Sequence, residues 1–398
     1  MNVIFLTLAS VDSVEHRGIY QDLLRKFRNE GHDVTIVTPV ERRQKISTNF
    51  KQKDGVSILQ VKTFNIQKTN IVEKGIGTLA IEFQFLSSIK KYLAHKKFDL
   101  VLYSTPPITF AKVIEFIKKR DNAYSYLLLK DIFPQNAVDM EMLREGSFIH
   151  KQFVKKEKKL YQISDTIGCM SPANVSFVLK HNQEVNPQKI EVNPNTIEPI
   201  RFSYSVDEKK SIREKYNIPV NRKVFVYGGN LGKPQGLDFL LETIEATTNE
   251  EAFFLIVGGG TEFVKTKEWF YAKQPENAKL LQNLPKEDYD KMLAACDIGL
   301  IFLDKRFLIP NFPSRLLSYL EMKMPVLAAT DPNTDIGDIV EENGCGYKVL
   351  SGDQKSMQNC LNKLLSEDLS VLGNNAEKLL LNKYTVDKSY FLINSKLK

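Results

Sequence analysis

The sequence predicts an α/β protein built from two doubly wound parallel sheets, and three observations carry that expectation. Short apolar runs alternate with helix-patterned segments along all 398 residues, the rhythm of strands joined by covering helices. The rhythm lapses at KIEVNPNTIEPIRF (189–202), where a short strand meets Pro194 and Pro199, and then resumes. Finally, VFVYGGNLGKPQGLDFLLE (224–242) reads as a strand, a glycine-rich turn and a helix. That connection lets backbone N–H groups approach phosphate oxygens at the ligand edge of such a sheet, although an ordinary strand–loop–helix link has the same outline.

The first half supplies apolar runs at Val3–Leu8, Val34–Val37, Leu100–Tyr103, Tyr124–Leu129 and Thr166–Met170. Between them lie helical patterns such as IYQDLLRKF (19–27), stopped at Gly31, and ITFAKVIEFI (108–117). The second half repeats the scheme with Lys223–Tyr227, Phe253–Val257, Ile298–Leu303 and Val326–Ala329. In the helix after the glycine-rich turn, Leu237, Leu240 and Leu241 share the apolar side. The expected domains are 1–195, 196–383 and a C-terminal segment, 384–398, in which Tyr390, Phe391 and Ile393 follow a helical pattern. Two such sheets would leave a ligand cleft at the carboxyl ends of their strands.

Composition excludes several classes. No run of about 18 apolar residues is present to span a bilayer, and MNVIFLTLAS lacks the basic start and long apolar core of a secretory leader, so a cytoplasmic protein is expected. Cys169, Cys296, Cys345 and Cys360 are far apart, without zinc or disulfide spacing. No Asp-x-Asp pair sits in a strand–loop setting, so no metal site is expected. The first strand is not followed by a dinucleotide fingerprint, and no cofactor is expected either.

Charge is uneven. Residues 1–200 carry 29 Lys and Arg against 21 Asp and Glu, whereas 201–398 carry 26 against 27. Much of the excess sits in SSIKKYLAHKKF (87–98) and FIHKQFVKKEKKLY (148–161), where Phe148, Phe153, Leu160 and Tyr161 interrupt the lysines. Such stretches are either solvated helix faces or surfaces for an anionic partner, a membrane or a lipid pyrophosphate. No nucleic-acid module accompanies them, so nucleic acid is not an expected partner.

Against this background the chain resembles a retaining glycosyltransferase of family 4, closest to the branch that adds amino sugars in O-antigen and capsule assembly. The likeness runs through the turn containing Gly18, LLLKDIFPQNAVDMEML (127–143), SDTIGCMSPAN (164–174), VNPNTIE (192–198), the glycine-rich turn, FFLIVGGG (253–260), LPKEDYDKMLAACDIGLIFL (284–303) and NFPSRLLSYLEMKMPVLAATD (311–331). It implies the GT-B fold, two Rossmann-like domains facing a cleft, with an acceptor- and membrane-facing first domain and a nucleotide-gripping second. It also implies a UDP-sugar substrate, an acceptor linked to undecaprenyl diphosphate, a peripheral place on the inner face of the membrane, and a C-terminal segment that packs back on the first domain.

The candidate site residues follow. Asp131 ends an apolar strand, and either accepts a hydrogen bond from a sugar hydroxyl or caps the helix beginning near Gln135. His16 and Gly18, in the loop after the first strand, are acceptor-side candidates. Gly229, Asn230 and Gly232 belong to the first glycine turn; Gly258 and Gly259, with Gly260, form a second close approach to ribose or phosphates. Leu284 would frame the base. Pro313 and Ser314 look like the cap and first turn of a helix that buries Leu316, Leu317 and Leu320 and carries Ser318 toward the donor. Arg315 and Lys233 are the candidates for pairing with the diphosphate, because a departing nucleoside diphosphate builds negative charge that a fixed cation stabilises. Arg306 is a weaker one.

The chain also departs from the family it resembles. Many members place glutamates where this sequence has Ser318 and Pro310, and an Arg and a Lys where it has Asn230 and Gln235. Glu321, one turn from Ser318, either substitutes for the missing carboxylate or forms a surface ion pair. The expected activity is sugar transfer; a sugar-nucleotide epimerase and a non-catalytic binder of nucleotide sugar or lipid stay open beside it.

Overall fold

The computed structural model describes residues 1–66 and 71–397. The chain divides into two compact units, one of residues 1–198 with 385–398 and one of 199–384.

Eight strands form the sheet of the first unit: β1 (Asn2–Leu6), β2 (Asp33–Glu41), β3 (Asn49–Lys53), β4 (Val56–Thr63), β5 (Leu100–Ser104), β6 (Tyr124–Leu129), β7 (Thr166–Cys169) and β8 (Ile190–Val192). Their order is β3-β4-β2-β1-β5-β6-β7-β8. All neighbours are parallel except β3 and β4, which pair antiparallel with Phe50 opposite Leu59. The sheet is therefore mixed rather than purely parallel. The central strands are buried along their length, as parallel strands covered by helices must be.

The C-terminal segment completes this unit's core. Helix Val386–Asn394 lays Val386, Tyr390 and Ile393 against Leu23, Leu24 and Phe27, the Tyr390 and Phe27 rings meeting edge-on at 4.9 Å. Phe391 points outward and is exposed, so only two of the three apolar residues read from the pattern are covered. Lys26 pairs with Asp387 at 2.7 Å, and the Val386 N–H donates to the Ile197 carbonyl at 2.9 Å. The basic stretch at 87–98 is helical only to Tyr92, whereas Phe148–Ile163 is one helix, capped by the Ser147 hydroxyl on the His150 N–H.

The second unit has six strands, β9 (Lys223–Asn230), β10 (Ala252–Gly259), β11 (Ala278–Leu281), β12 (Ile298–Phe302), β13 (Val326–Thr330) and β14 (Gly346–Leu350). They lie in the order β11-β10-β9-β12-β13-β14, all parallel. Phe225, Tyr227, Phe254, Ile256, Leu300 and Phe302 fill one side of this sheet with Leu240 and Ile244. The chain builds outward from β9 in one direction and from β12 in the other. Between those two strands the connections diverge, and in an open parallel sheet that reversal leaves a crevice at the carboxyl ends.

Candidate active site

Two loops leave the β9/β12 crevice. The first is the glycine-rich turn after β9. Gly229 sits there at φ +117°, a backbone state that a side chain strains. The second descends from β12 and ends in helix Arg315–Glu321. Leu316, Leu317 and Leu320 on that helix are fully buried, each contributing about 1.5–3 kcal/mol of apolar burial. Tyr319 points the other way, into β9: its hydroxyl shares its one proton between the carbonyls of Val226 (3.2 Å) and Leu300 (3.1 Å) and accepts the Gly228 N–H (3.2 Å). One phenol thus pins the helix to both strands.

Between the loops lies a cleft of about 480 Å³. Of the candidate residues, Gly229, Asn230, Leu284, Pro313, Ser314, Arg315 and Ser318 line it. Lys233 and Gly232 do not. Lys233 stands exposed on the short 3-10 turn Lys233–Gln235, and Gly232 is buried beside the Asn230 side chain. Gly258 and Gly259 are also outside the lining. A Cβ at Gly258 would overlap the Gly229 carbonyl, and one at Gly259 would come within 2.7 Å of Asn283 Nδ2. These glycines let β10 run tightly beside the end of β9.

Among the described residues two charged side chains line the cleft, Lys286 and Arg315. Lys286 is paired with Asp290 one turn along its helix. Arg315 has only neutral company. Its guanidinium stacks over the Tyr227 ring, 4.1 Å from the centroid, and Nη2 donates to Gln235 Oε1 at 2.6 Å and to the Asn230 carbonyl at 3.5 Å. Its Nη1 is buried with no partner. A guanidinium keeps its proton in any protein setting. A buried donor on a permanent cation, without a counter-ion, is an arrangement an anion completes.

Three expectations about this region change. Ser314 is the residue before the helix, but its side chain makes no capping hydrogen bond. Glu321 is not on the surface; it is buried, and its Oε1 accepts the Ile200 N–H at 2.8 Å. Arg306 chelates Asp304, at 2.9 and 2.8 Å, so its charge is already answered. Gln235 and Tyr227, neither of them a candidate from the sequence, also belong to the site, Gln235 at a position where the resembled family carries a cation.

The remaining candidates belong to the first unit. Asp131 follows β6, and both of its carboxylate oxygens accept from Asn136 Nδ2, at 2.7 and 2.8 Å. The helix Gln135–Asp139 is capped at Pro134, so Asp131 is not its cap. Burial pushes the Asp131 carboxyl up to about 6, against the hydrogen bond from Asn136. Its neighbour Lys130, unnoticed in the sequence, is pushed down to about 7 by the same loss of water. The Lys130 ammonium reaches the Asn193 carbonyl at 3.3 Å, and no carboxylate pairs with it among the described residues. In the loop after β1, His16 is largely exposed, with Asp12 3.6 Å away. The Gly18 N–H donates to Asp22 Oδ1 at 3.2 Å at the head of helix Ile19–Asn29.

Two doubly wound units, the second with a cation-bearing cleft at its switch point, place the chain in the GT-B class. Residues 208–379 match the family model described as Glycosyl transferases group 1, and the chain is a glycosyltransferase. It is similar to the probable glycosyltransferase WbjE of Pseudomonas aeruginosa, 23% identical over 321 residues that make up 80% of this chain and 78% of that one. The putative colanic acid biosynthesis glycosyl transferase WcaI of Escherichia coli (strain K12) is 21% identical over 337 residues, 78% and 79% of the two chains. Among solved structures, Anabaena Alr3699/HepE in complex with UDP superposes with a TM-score of 0.72 at 13% identity, over 100% of this chain and 99% of its own.

Proposed function

We propose that the protein transfers a sugar, an N-acetylamino sugar, from a UDP-sugar to a saccharide carried on undecaprenyl diphosphate, with retention of anomeric configuration, in the synthesis of a bacterial surface polysaccharide. The observation that carries the donor half is Arg315, in a cleft at the strand ends, whose buried Nη1 has no partner and whose charge has no counter-ion among the described residues. The UDP bound in HepE and the polysaccharide role in the name of WcaI support the same reading.

In this reading the diphosphate lies against Arg315. As the bond from the anomeric carbon to the diphosphate breaks, the β-phosphate gains charge that the guanidinium stabilises. The acceptor hydroxyl attacks on the face the diphosphate is leaving, and the β-phosphate oxygen takes its proton. That route needs no protein carboxylate at Ser318 or Pro310, no cofactor and no metal ion. The membrane half rests on the first unit, where Met142 (66% exposed), Phe148 (77%) and Ile149 (57%) stand in the open. Arg144, Lys151 and Lys155 lie beside them in the sequence. An apolar tip with basic flanks suits an anionic bilayer surface. No helix among the described residues is long and apolar enough to cross a membrane.

The test is incubation of purified protein with a panel of nucleotide sugars and an undecaprenyl-diphosphate-linked acceptor, with and without EDTA. The expected result is acceptor-dependent release of UDP, unchanged by chelation, and a product with the donor's anomeric configuration by NMR. Interconversion of nucleotide sugars without acceptor would replace transfer by epimerisation. Nucleotide binding without turnover would leave a binding protein.

A further inference from the structure

Gln235 is buried, and it lies one strand end away from Arg315 in the fold. Its Oε1 accepts from two donors, Arg315 Nη2 at 2.6 Å and the Tyr227 hydroxyl at 3.1 Å. The same hydroxyl is also 3.1 Å from the Asn230 carbonyl, so the two oxygens share its single proton, and that carbonyl lies 3.5 Å from Nη2. The guanidinium is therefore held through Nη2 by two neutral oxygens and on one face by the Tyr227 ring, while Nη1 is buried without a hydrogen-bond partner among the described residues. A carboxylate at 235 would hold the arm equally well, but it would also neutralise it.

We infer that Gln235 is a positioning residue that fixes Arg315 through a neutral acceptor so that its full charge is kept for the diphosphate of the donor. This rests on the proposed donor site and adds the chemistry that gives it its anion affinity. The neutral clamp works against the free protein, because a desolvated guanidinium without an anion is costly. That cost is relieved when a nucleoside diphosphate binds, so affinity is concentrated in the phosphates rather than in the nucleoside. An amide at 235 is the residue type that provides both an acceptor and no charge.

Gln235→Glu tests this, since it keeps the shape and the hydrogen bonds while placing a counter-ion against Arg315. Calorimetric titration with UDP, inorganic pyrophosphate and uridine, on wild type, Gln235→Glu and Gln235→Asn, separates the outcomes. The expected result is a loss of at least ~10-fold in affinity for UDP and pyrophosphate in Gln235→Glu, the scale of one charge-assisted contact. Uridine affinity should be unchanged and the melting temperature equal or higher. Gln235→Asn, shortened but neutral, should retain more UDP affinity than Gln235→Glu. An equal fall for UDP and uridine would make Gln235 a mere structural support and overturn the inference. So would UDP binding by Gln235→Glu at wild-type strength, with the donor site left standing. A wild-type protein that binds neither UDP nor pyrophosphate would end the donor site itself, and the inference with it.

Discussion

The carboxyl ends of the two sheets hold charge in opposite ways. In the second unit, after β9 and β12, one guanidinium sits among neutral oxygens and an aromatic ring, and nothing nearby can lower its charge. In the first unit, after β6, Lys130 and Asp131 stand side by side in sequence, and burial drives each toward its neutral form. The difference follows from side-chain chemistry. Burial can deprotonate a lysine or protonate an aspartate, but it cannot deprotonate an arginine at neutral pH. One edge thus keeps a permanent cation, while at the other the two groups titrate nearer neutral pH than they would in water.

The sharpest way to break this contrast is Arg315→Ala. It should lower turnover by at least ~10²-fold in a protein that stays folded, the scale for loss of one preorganised charge-stabilising group. Steady-state UDP release checks it, with circular dichroism as the control. Turnover within a few-fold of wild type would mean that the diphosphate is neutralised elsewhere, and Lys233 would be the next residue to test.

At the other edge the expected effects are on stability. Lys130 binds its proton more weakly folded than unfolded, so between about pH 7 and its ordinary value of 10.5 the unfolded chain holds the extra proton. Wild-type stability should rise with pH through that window. Lys130→Met should flatten the rise and be more stable than wild type at pH 7, by on the order of 1–3 kcal/mol. Asp131 runs the other way, holding its proton more tightly folded, from an ordinary value of 3.8 up to about 6. Its stability cost grows as pH rises through that range and is complete above it. Asp131→Asn should therefore match wild type near pH 3.5 and exceed it at pH 7, by on the order of 1 kcal/mol. Urea melts across pH measure both; curves parallel to wild type at every pH would show that the two groups are solvated.

The smallest effect is on the first unit's surface. Phe148→Glu with Ile149→Glu should reduce sedimentation with vesicles rich in anionic lipid by several-fold. High salt should release the wild type, because polybasic attraction is screened within about 10 Å at 0.1 M ionic strength. Vesicle binding indifferent to the substitutions, to salt and to lipid charge would remove the membrane from the proposal.

What the sequence made legible tracks burial. The strands that lie inside the sheets, such as β5, β6, β9 and β12, are built on apolar runs, and their cores are plain by inspection. The edge strands are not. β3 reads NFKQK, β11 AKLL and β14 GYKVL, because a strand with one open side is free to carry lysine and polar residues. That polar pattern hides the antiparallel β3, and the apolar runs alone predict a wholly parallel first sheet. At the site, Arg315 was legible because the family resemblance placed its loop at the ligand edge. Its clamp was not, since it depends on Tyr227 reaching from within β9 to Gln235 beyond the glycine turn. Lys130 had a signal that went unused, a charged residue ending the run LLLK, where water is scarce.

Helix Val386–Asn394 makes the first unit discontinuous: its core draws Tyr390 and Ile393 from a segment that follows the whole of residues 199–384. On the ribosome the second unit is complete in sequence while the first still lacks a wall of its interior, with Phe27 facing the gap. The order of synthesis and the order of completion are therefore reversed. A gene fragment cut at the junction near 198 encodes an unfinished core rather than a domain, and splitting this enzyme for separate expression of its halves requires grafting 385–398 back onto the first.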